Sequence, residues 1–346
     1  LELPVADDRL DSLINALIDE YSIAASQTGM RRYLRNLVKT ALNFADGGTS
    51  RLDIKIATAA VEEMASAFRM FSAFRTSPKV TIFGSARVRP SDALYSLTRD
   101  LARRLAENGV MVITGAGPGI MAAGNEGAGP EMAMGINIRL PFETEPNEFI
   151  ANDEKLVEMK YFFTRKLMLI KESNGFLILP GGFGTMDETF ELLTLQQTGK
   201  AEPAAIVLAE NPGDTFWQAW REFVEAEIYS RNLASPIDAS LYRITNSTDE
   251  AIEELLSFNR NYVSRRFIHA EMVVRLRKAP SAQVCAELSR EFADLLDDDH
   301  LRIVDPYPVE IAESDSLHFE RVAFTFAGGR TARLRQLINR FNEIPL

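Results

Sequence analysis

Residues 176–188, Phe-Leu-Ile-Leu-Pro-Gly-Gly-Phe-Gly-Thr-Met-Asp-Glu, constrain this chain more than any other stretch. The apolar run 176–179, closed by Pro180, is a short buried strand. Gly181, Gly182 and Gly184 let the backbone bend sharply and lie close to a ligand. A helix over 185–198 then points its free N–H groups and positive dipole end back at the turn. That geometry receives an anion, phosphate above all. A plainer account of the same residues exists. Thr185-x-x-Glu188 spells a capping box, as does Ser247-x-x-Glu250, and spacing alone favours Glu188 as a cap over Glu188 as a catalyst. The three glycines weigh against it, because a simple strand-to-helix connection seldom needs so many.

Strands and helices alternate around that stretch. Strands are expected over 80–83, 110–113, 132–138, 176–179, 204–208 and 241–245. Helices are expected over 91–108, from 120 to about 128, and over 160–173, 185–198, 214–229 and 248–262, with an irregular loop at 142–153. This alternation specifies an α/β fold, a Rossmann-like doubly wound parallel sheet covered on both faces, occupying 78–263. Before it, 1–77 form a helical N-terminal segment. Leu10, Leu13, Ile14, Leu17 and Ile18 share one helical face. Arg31, Arg32, Arg35 and Lys39 give the second helix a basic face, read as solvated. After the sheet, 264–346 form a small α/β module with strands over 268–276 and 318–326 and helices over 281–296 and 330–342. Asp297-Asp298-Asp299-His300 reads as a solvated turn rather than a metal site.

Three glycine-containing loops, 84–87, 114–119 and 180–185, each follow a strand, so all three lie at the carboxyl edge of a parallel sheet. Together they point to a nucleotide or sugar-phosphate site. The 115–120 loop lacks the spacing of a dinucleotide fingerprint, and no Gly-Lys-Ser/Thr follows any of the turns, which disfavours hydride transfer and excludes a P-loop. The 3 histidines, His269, His300 and His318, all fall in the C-terminal module, away from any triad in the main domain. The single cysteine, Cys285, permits no internal disulfide or cysteine-based metal cluster and suggests a cytoplasmic protein. A net charge of −11 and a pI near 5.0 argue against a general nucleic-acid or membrane-surface binder. No apolar run approaches ~18 residues, and Leu1-Glu2-Leu3-Pro4 lacks the marks of a signal peptide. Arg165-Lys166, on the helix before the key strand, would in isolation be two exposed charges.

The run Pro180-Gly-Gly-Phe-Gly-Thr-Met-Asp-Glu188 with Arg165-Lys166 upstream resembles the LOG ("lonely guy") family over roughly 78–262. These are cytokinin riboside 5′-monophosphate phosphoribohydrolases, often labelled lysine decarboxylases. Their pattern is an Arg-Lys pair followed by Pro-Gly-Gly-x-Gly-Thr-x-x-Glu, at the separation seen here between Arg165 and Glu188. Ile136-Asn137-Ile138-Arg139-Leu140-Pro141-Phe142-Glu143 and Gln197-Thr198-Gly199-Lys200 look like the longer bacterial branch, which includes nucleotide 5′-monophosphate nucleosidases. Plant-type members carry Met-His-x-Arg-Lys where this chain has Phe162-Phe163-Thr164-Arg165-Lys166, a departure that bears on cytokinin preference.

The resemblance implies hydrolysis of the N-glycosidic bond of nucleoside 5′-monophosphates such as AMP, releasing free base and ribose 5-phosphate. It implies catalytic roles for Arg165 and Glu188. Glu188 would stabilise positive charge at C1′ and activate water. Arg165 would orient the nucleotide, since a guanidinium is a poor proton donor. Gly181, Gly182, Gly184 and Thr185 would hold the 5′-phosphate, with Ser85, Gly115, Gly117 and Lys166 as further substrate contacts. The scheme needs no cofactor and no metal. The resemblance also implies a homodimer or higher homo-oligomer. Lysine decarboxylation would require pyridoxal phosphate on a lysine, and nothing in the sequence places one at a cofactor site. Two alternatives stay open: a non-catalytic nucleotide-binding or sensing protein with regulatory flanking domains, and an enzyme that those domains gate.

Overall fold

A computed structural model describes residues 8–21, 28–44, 47–139, 145–297 and 300–346. Leu1-Glu2-Leu3-Pro4, Leu140 to Glu143 of the quoted motif, and Asp298 and Asp299 lie outside the described residues. The chain divides into two units, Leu1–Glu62 with Pro308–Asp315, and Glu63–Tyr307 with Ser316–Leu346. In the first unit, Asp8–Tyr21 (α1) and Thr28–Asn43 (α2) are amphipathic helices, followed by the start of Arg51–Ser72 (α3). Ile14 and Ile18 of the expected apolar face are buried, whereas Leu13 and Leu17 on the same helix are exposed. The basic face of α2 is partly engaged: Lys39 pairs with Asp11 and Arg31 with Asp19.

The second unit is built on a seven-stranded sheet. Its elements run Lys79–Phe83 (β1), Ala93–Glu107 (α4), Met111–Thr114 (β2), Ile120–Met132 (α5), Ala133–Ile138 (β3) and Leu156–Met159 (β4). They continue with Phe162–Lys171 (α6), Gly175–Ile178 (β5), Phe183–Gln197 (α7), Ala205–Ala209 (β6), Phe216–Phe223 (α8), Arg243–Thr245 (β7) and Thr248–Ser257 (α9). The strand order is β4-β3-β2-β1-β5-β6-β7, every neighbour parallel. This is the Rossmann-like α/β sheet that the alternation specifies.

Every residue of β1, β2, β5 and β6 is buried, as expected of parallel strands covered on both faces. Alternate side chains feed two cores. Val80, Ile82, Leu177 and Val207 pack with Leu101 of α4, Ile120 of α5 and Leu255 of α9. Phe83, Phe176, Ile178 and Ile206 pack with Met168 of α6, Leu192 of α7, Trp217 of α8 and Phe71 of α3. The chain moves one way across the sheet from β1 to β4 and the other way from β5 to β7. Right-handed crossovers therefore put α4 and α5 on one face and α7 and α8 on the other. The reversal falls between β1 and β5, and that is where open parallel sheets bind ligands.

The C-terminal elements are Tyr262–Ile268 (β8), Glu271–Leu276 (β9), Ala282–Glu291 (α10), Arg302–Val304 (β10), Pro308–Glu313 (α11), Glu320–Thr325 (β11) and Thr331–Asn342 (α12). Four of them form an antiparallel sheet in the order β10-β11-β9-β8. Its core is continuous with one core of the main sheet: Tyr262, Leu276 and Phe341 join the cluster that holds Val80 and Leu177. Arg335 of α12 donates to the Ala204 carbonyl at 2.7 Å and pairs with Glu254 of α9. Arg265 of β8 donates to the Gly199 and Ala201 carbonyls at 2.8 and 3.1 Å, just beyond the C-terminal end of α7. A cation there also complements the helix dipole.

Several elements differ from expectation. β4 follows the loop that was expected to be irregular. β8 begins at Tyr262, where a helix was expected to end, and the strand expected from 268 begins only at Glu271. β10 and α11 were not anticipated. The helix expected over 214–229 is α-helical to Phe223 and continues as a wider π-helical turn, Val224–Tyr229. Among the described residues no helix is long and apolar enough to cross a membrane.

Leu177 lies in β5 beside the reversal and is fully buried. Leu177→Ala is expected to lower unfolding free energy by ~3 kcal/mol through lost burial plus a residual cavity. Urea denaturation of the intact chain measures this.

Candidate active site

The three loops are joined to one another through their backbones. Leu179 N–H donates to the Phe83 carbonyl at 2.9 Å, Ser85 N–H to Pro180 at 3.3 Å, and Ile120 N–H to Ser85 at 3.0 Å. The loops after β1, β2 and β5 thus form a single surface at the carboxyl edge.

Arg165 sits in the first turns of α6, and its side chain is only 9% exposed. Its Nε donates to the Ile136 carbonyl of β3 at 2.8 Å, and its Nη2 to the Gly115 carbonyl at 3.2 Å. Gly115 is glycine for a steric reason: a Cβ there would stand 1.9 Å from Arg165 Nη2. The third nitrogen, Nη1, lies 3.8 Å from Glu188 Oε1. The two motif residues therefore meet, because α6 and α7 cover the same face of the sheet on either side of β5.

Helix α7 starts earlier than the capping box requires. Its N-cap is Gly182, with no side-chain capping bond, and Phe183 is its first residue. Thr185 and Glu188 are both inside the helix, so the capping-box reading of this pair fails. At Ser247 the cap forms, its hydroxyl accepting from Glu250 N–H, while the Glu250 carboxylate accepts from the Thr245 hydroxyl at 2.8 Å. The first intrahelical bond of α7 runs from Met186 N–H to the Gly182 carbonyl. The N–H groups of Phe183, Gly184 and Thr185 precede it and face the loop edge. Gly182 and Gly184 have open space where a Cβ would stand. Gly181 does not, because a Cβ there would lie 2.2 Å from Thr185 Oγ1, a buried side chain.

Electrostatics distinguish the two basic residues near Glu188. Burial pushes the Glu188 carboxyl up to about 7, against the opposing pull of Arg165 and Lys166. Burial lowers the Arg165 pKa, and Glu188 acts the other way. The Lys166 ammonium is instead held by Asp187 at 2.5 Å and Glu191 at 2.8 Å. Burial works to lower its pKa, but those two carboxylates win and raise it. That is the reverse of what a Schiff-base lysine needs.

Two of the remaining expected contact residues also make bonds within the scaffold. The Ser85 hydroxyl accepts from Arg87 N–H at 3.1 Å. The Gly117 carbonyl accepts from Asn147 Nδ2 at 3.0 Å. Ala116 takes a positive φ of 60°, unusual for a residue with a side chain. A polar network holds it there. The Thr114 hydroxyl accepts from Ala116 N–H and donates to Asn125, and Asn147 bonds both Asn125 and the Ala116 carbonyl. Sequence reasoning missed these residues. Asn125 carried a faint signal, a polar side chain inside the small apolar run Ala122-Ala123-Gly124 on α5. Glu63 carried none. Its carboxylate accepts from Lys160 and Tyr161 N–H and from the Thr164 hydroxyl at 3.0, 3.4 and 2.6 Å, holding the start of α6 and so the seat of Arg165.

At the strand reversal the parallel α/β sheet thus carries a buried arginine–glutamate pair beside three glycine loops. Residues 115–255 match the family model described as "Possible lysine decarboxylase", a span that holds Arg165, Glu188 and the α7 loop. Over that span the chain is similar to this family, the LOG family of the sequence motif. The bifunctional cytokinin biosynthesis protein of Fusarium pseudograminearum (strain CS3096) is 30% identical over 139 residues, covering 35% of this chain and 28% of that protein. The match thus spans under a third of the relative. Among solved structures, the molybdenum cofactor carrier protein of Chlamydomonas reinhardtii aligns with a TM-score of 0.38 and 18% identity, over 52% of this chain and 99% of that one. DNA processing protein A of Helicobacter pylori aligns with a TM-score of 0.38 and 17% identity, over 54% and 83%. Likenesses at this level set no constraint on function.

The raised Glu188 pKa has a consequence for stability. The folded chain holds a proton that the unfolded chain releases above the ordinary value of 4.5. The stabilising contribution is complete below that value and is lost as pH rises through about 7. Glu188→Gln, which mimics the protonated form, is therefore expected to melt above the parent chain at pH 8, by on the order of 3 kcal/mol in stability at most. The gap should close toward pH 5. Thermal melts of both proteins across that range provide the check.

Proposed function

We propose that this site hydrolyses the N-glycosidic bond of a nucleoside 5′-monophosphate, yielding free base and ribose 5-phosphate. The observation that carries the proposal is the 3.8 Å approach of Arg165 to Glu188 beside the open glycine turn. The α7 N-terminus, with its free N–H groups, suits the 5′-phosphate. Bound there, the nucleotide would bring C1′ towards the Glu188 carboxylate.

As the C1′–N bond breaks, its electron pair leaves with the base and positive charge spreads over C1′ and the ring oxygen. The Glu188 carboxylate stabilises that charge and takes a proton from the attacking water, whose oxygen bonds to C1′. The proton then passes to the departing base. A carboxyl poised near 7 suits both halves of this transfer at neutral pH. Arg165 stays charged and orients the nucleotide.

The family match and the cytokinin-related relative support the phosphoribohydrolase class; AMP-like substrates and the longer bacterial branch are part of our proposal. We also take the protein to be cytoplasmic and to work as a homodimer or higher homo-oligomer, with neither nucleic acid nor membrane as a partner. The exposure of Phe162, Phe163 and Leu167 on α6 supports self-association. A second reading is nucleotide sensing without turnover. The bonds from the C-terminal sheet to the end of α7 favour it, since they would give that sheet a hold on the site helix.

The test is to incubate the intact chain with AMP, GMP, CMP, UMP and a cytokinin nucleotide and to quantify released base by chromatography. Release is expected, with Glu188→Gln lowering turnover ~10²-fold or more while nucleotide binding persists. Saturable binding with no release of any base would favour the sensing reading instead. In the active enzyme, kcat/KM should rise with pH through an apparent pKa of about 7 and level off above it, because the ionised Glu188 is the working form. A flat profile between pH 5 and 8 would remove Glu188 from that role.

A further inference from the structure

Helix α6 carries Arg165 yet supplies no cap of its own. Its N-cap is Tyr161, which makes no side-chain capping bond, and the first bond within the helix runs from Arg165 N–H to the Tyr161 carbonyl at 3.2 Å. The arginine therefore sits on the first closed turn, where an uncapped helix frays. The missing cap comes from α3. The Glu63 carboxylate accepts from Lys160 N–H at 3.0 Å, from Tyr161 N–H at 3.4 Å and from the Thr164 hydroxyl at 2.6 Å. A carboxylate there also meets the positive end of the helix dipole.

Glu63 is itself held in place. Glu63, Ala67 and Phe71 recur every four residues on one face of α3. Ala67 and Phe71 are buried in the core that contains Met168 and Leu169 of α6. Thr164 is fully buried, and its single hydroxyl proton has two acceptors in reach, Glu63 and the Tyr161 carbonyl at 2.8 Å. With Glu63 present, that proton ties α6 to α3. Without Glu63 it returns to its own helix.

At the far end of the arginine, the Ile136 and Gly115 carbonyls take Nε and Nη2, and Nη1 stops 3.8 Å from Glu188. That gap is longer than a hydrogen bond, so a shift of the first turn of α6 changes it without breaking a bond between the two side chains. We propose that Glu63 is a positioning residue through which α3 governs the site: its carboxylate locks the first turn of α6, and the lock sets the distance from Arg165 to Glu188. The inference deepens the hydrolase reading of the same site and rests on it for the activity measurement alone.

Burial opposes the ionised form of Glu188 most. Arg165 and Lys166 of α6 favour that form, and Asp187 and Glu191 of α7 oppose it. Releasing the first turn of α6 weakens the pull of Arg165, so Glu188 should hold its proton to higher pH.

The experiment follows the Glu188 carboxyl by carbon-13 NMR from pH 5 to 9 in the intact chain labelled at glutamate, the signal being assigned by its loss in Glu188→Gln. Its midpoint, about 7 in the parent, should rise by ~0.5 pH or more in Glu63→Ala and in Thr164→Val. Thr164→Ser keeps the hydroxyl and should restore the parent midpoint. Ser247→Ala removes a comparable cap from α9 and should lower the melting temperature without moving the midpoint, which separates positioning from a general loss of stability. Base release from AMP should fall ~10-fold or more in Glu63→Ala, mainly in kcat, because the reacting groups are misplaced. An unmoved midpoint in Glu63→Ala and Thr164→Val, or equal movement in Ser247→Ala, overturns the proposal. Thr164→Val carries the test where Glu63→Ala folds poorly. A midpoint that moves in a chain releasing no base would sink the hydrolase reading and leave the role of Glu63 standing. Base release with an unmoved midpoint would do the reverse.

Discussion

Burying a guanidinium is the constraint on which the candidate site depends. Arg165 reaches across the carboxyl ends of β2 and β3, and removing such a charge from water is tolerable only with partners in place. The carbonyls of Ile136 and Gly115 supply two of them and Glu188 faces the third nitrogen. The requirement then spreads outward. Gly115 must lack a side chain. The neighbouring Ala116 adopts a left-handed backbone that Thr114, Asn125 and Asn147 hold in place. Glu63, some hundred positions earlier in the chain, pins the first turn of α6 so that the arginine points inward.

The second determinant is the reversal of strand order between β1 and β5. It places α6 and α7 on one face and brings the loops after β1 and β5 side by side. Those loops are cross-bonded at Ser85 and Pro180, and the loop after β2 joins them through Ile120. At its other end, α7 meets Arg265 and Thr331 of the C-terminal elements, which contact the Gly199, Ala201 and Gln197 carbonyls. The helix that carries Glu188 is therefore fixed at both ends, and the two sheets of this unit share one core.

Legibility in the sequence followed how local each interaction is. The buried parallel strands were readable because strands covered on both faces are continuous apolar runs. β4 was not, because Leu156-Val157-Glu158-Met159 is short and interrupted by a charge. β8 was hidden by Ser264, Arg265 and Arg266 in mid-strand, and Arg265 is accommodated there by carbonyls beyond α7 that lie far off in sequence. The capping box at Thr185 misled because Ser/Thr-x-x-Glu spacing is also common inside helices; backbone geometry at Gly182 decides where α7 begins.

By itself, the sequence determined the α/β class, the three glycine loops after strands and the arginine and glutamate of the motif. Each of these is written in runs of a few residues, where periodicity and glycine content act directly on the backbone. Only the tertiary structure decided that Arg165 and Glu188 stand together, that Lys166 is drawn away by Asp187 and Glu191, and that Glu63, Asn125 and Asn147 hold the site in shape. It also decided the Glu188 proton affinity, because desolvation depends on what packs around a carboxyl and not on its neighbours in the chain.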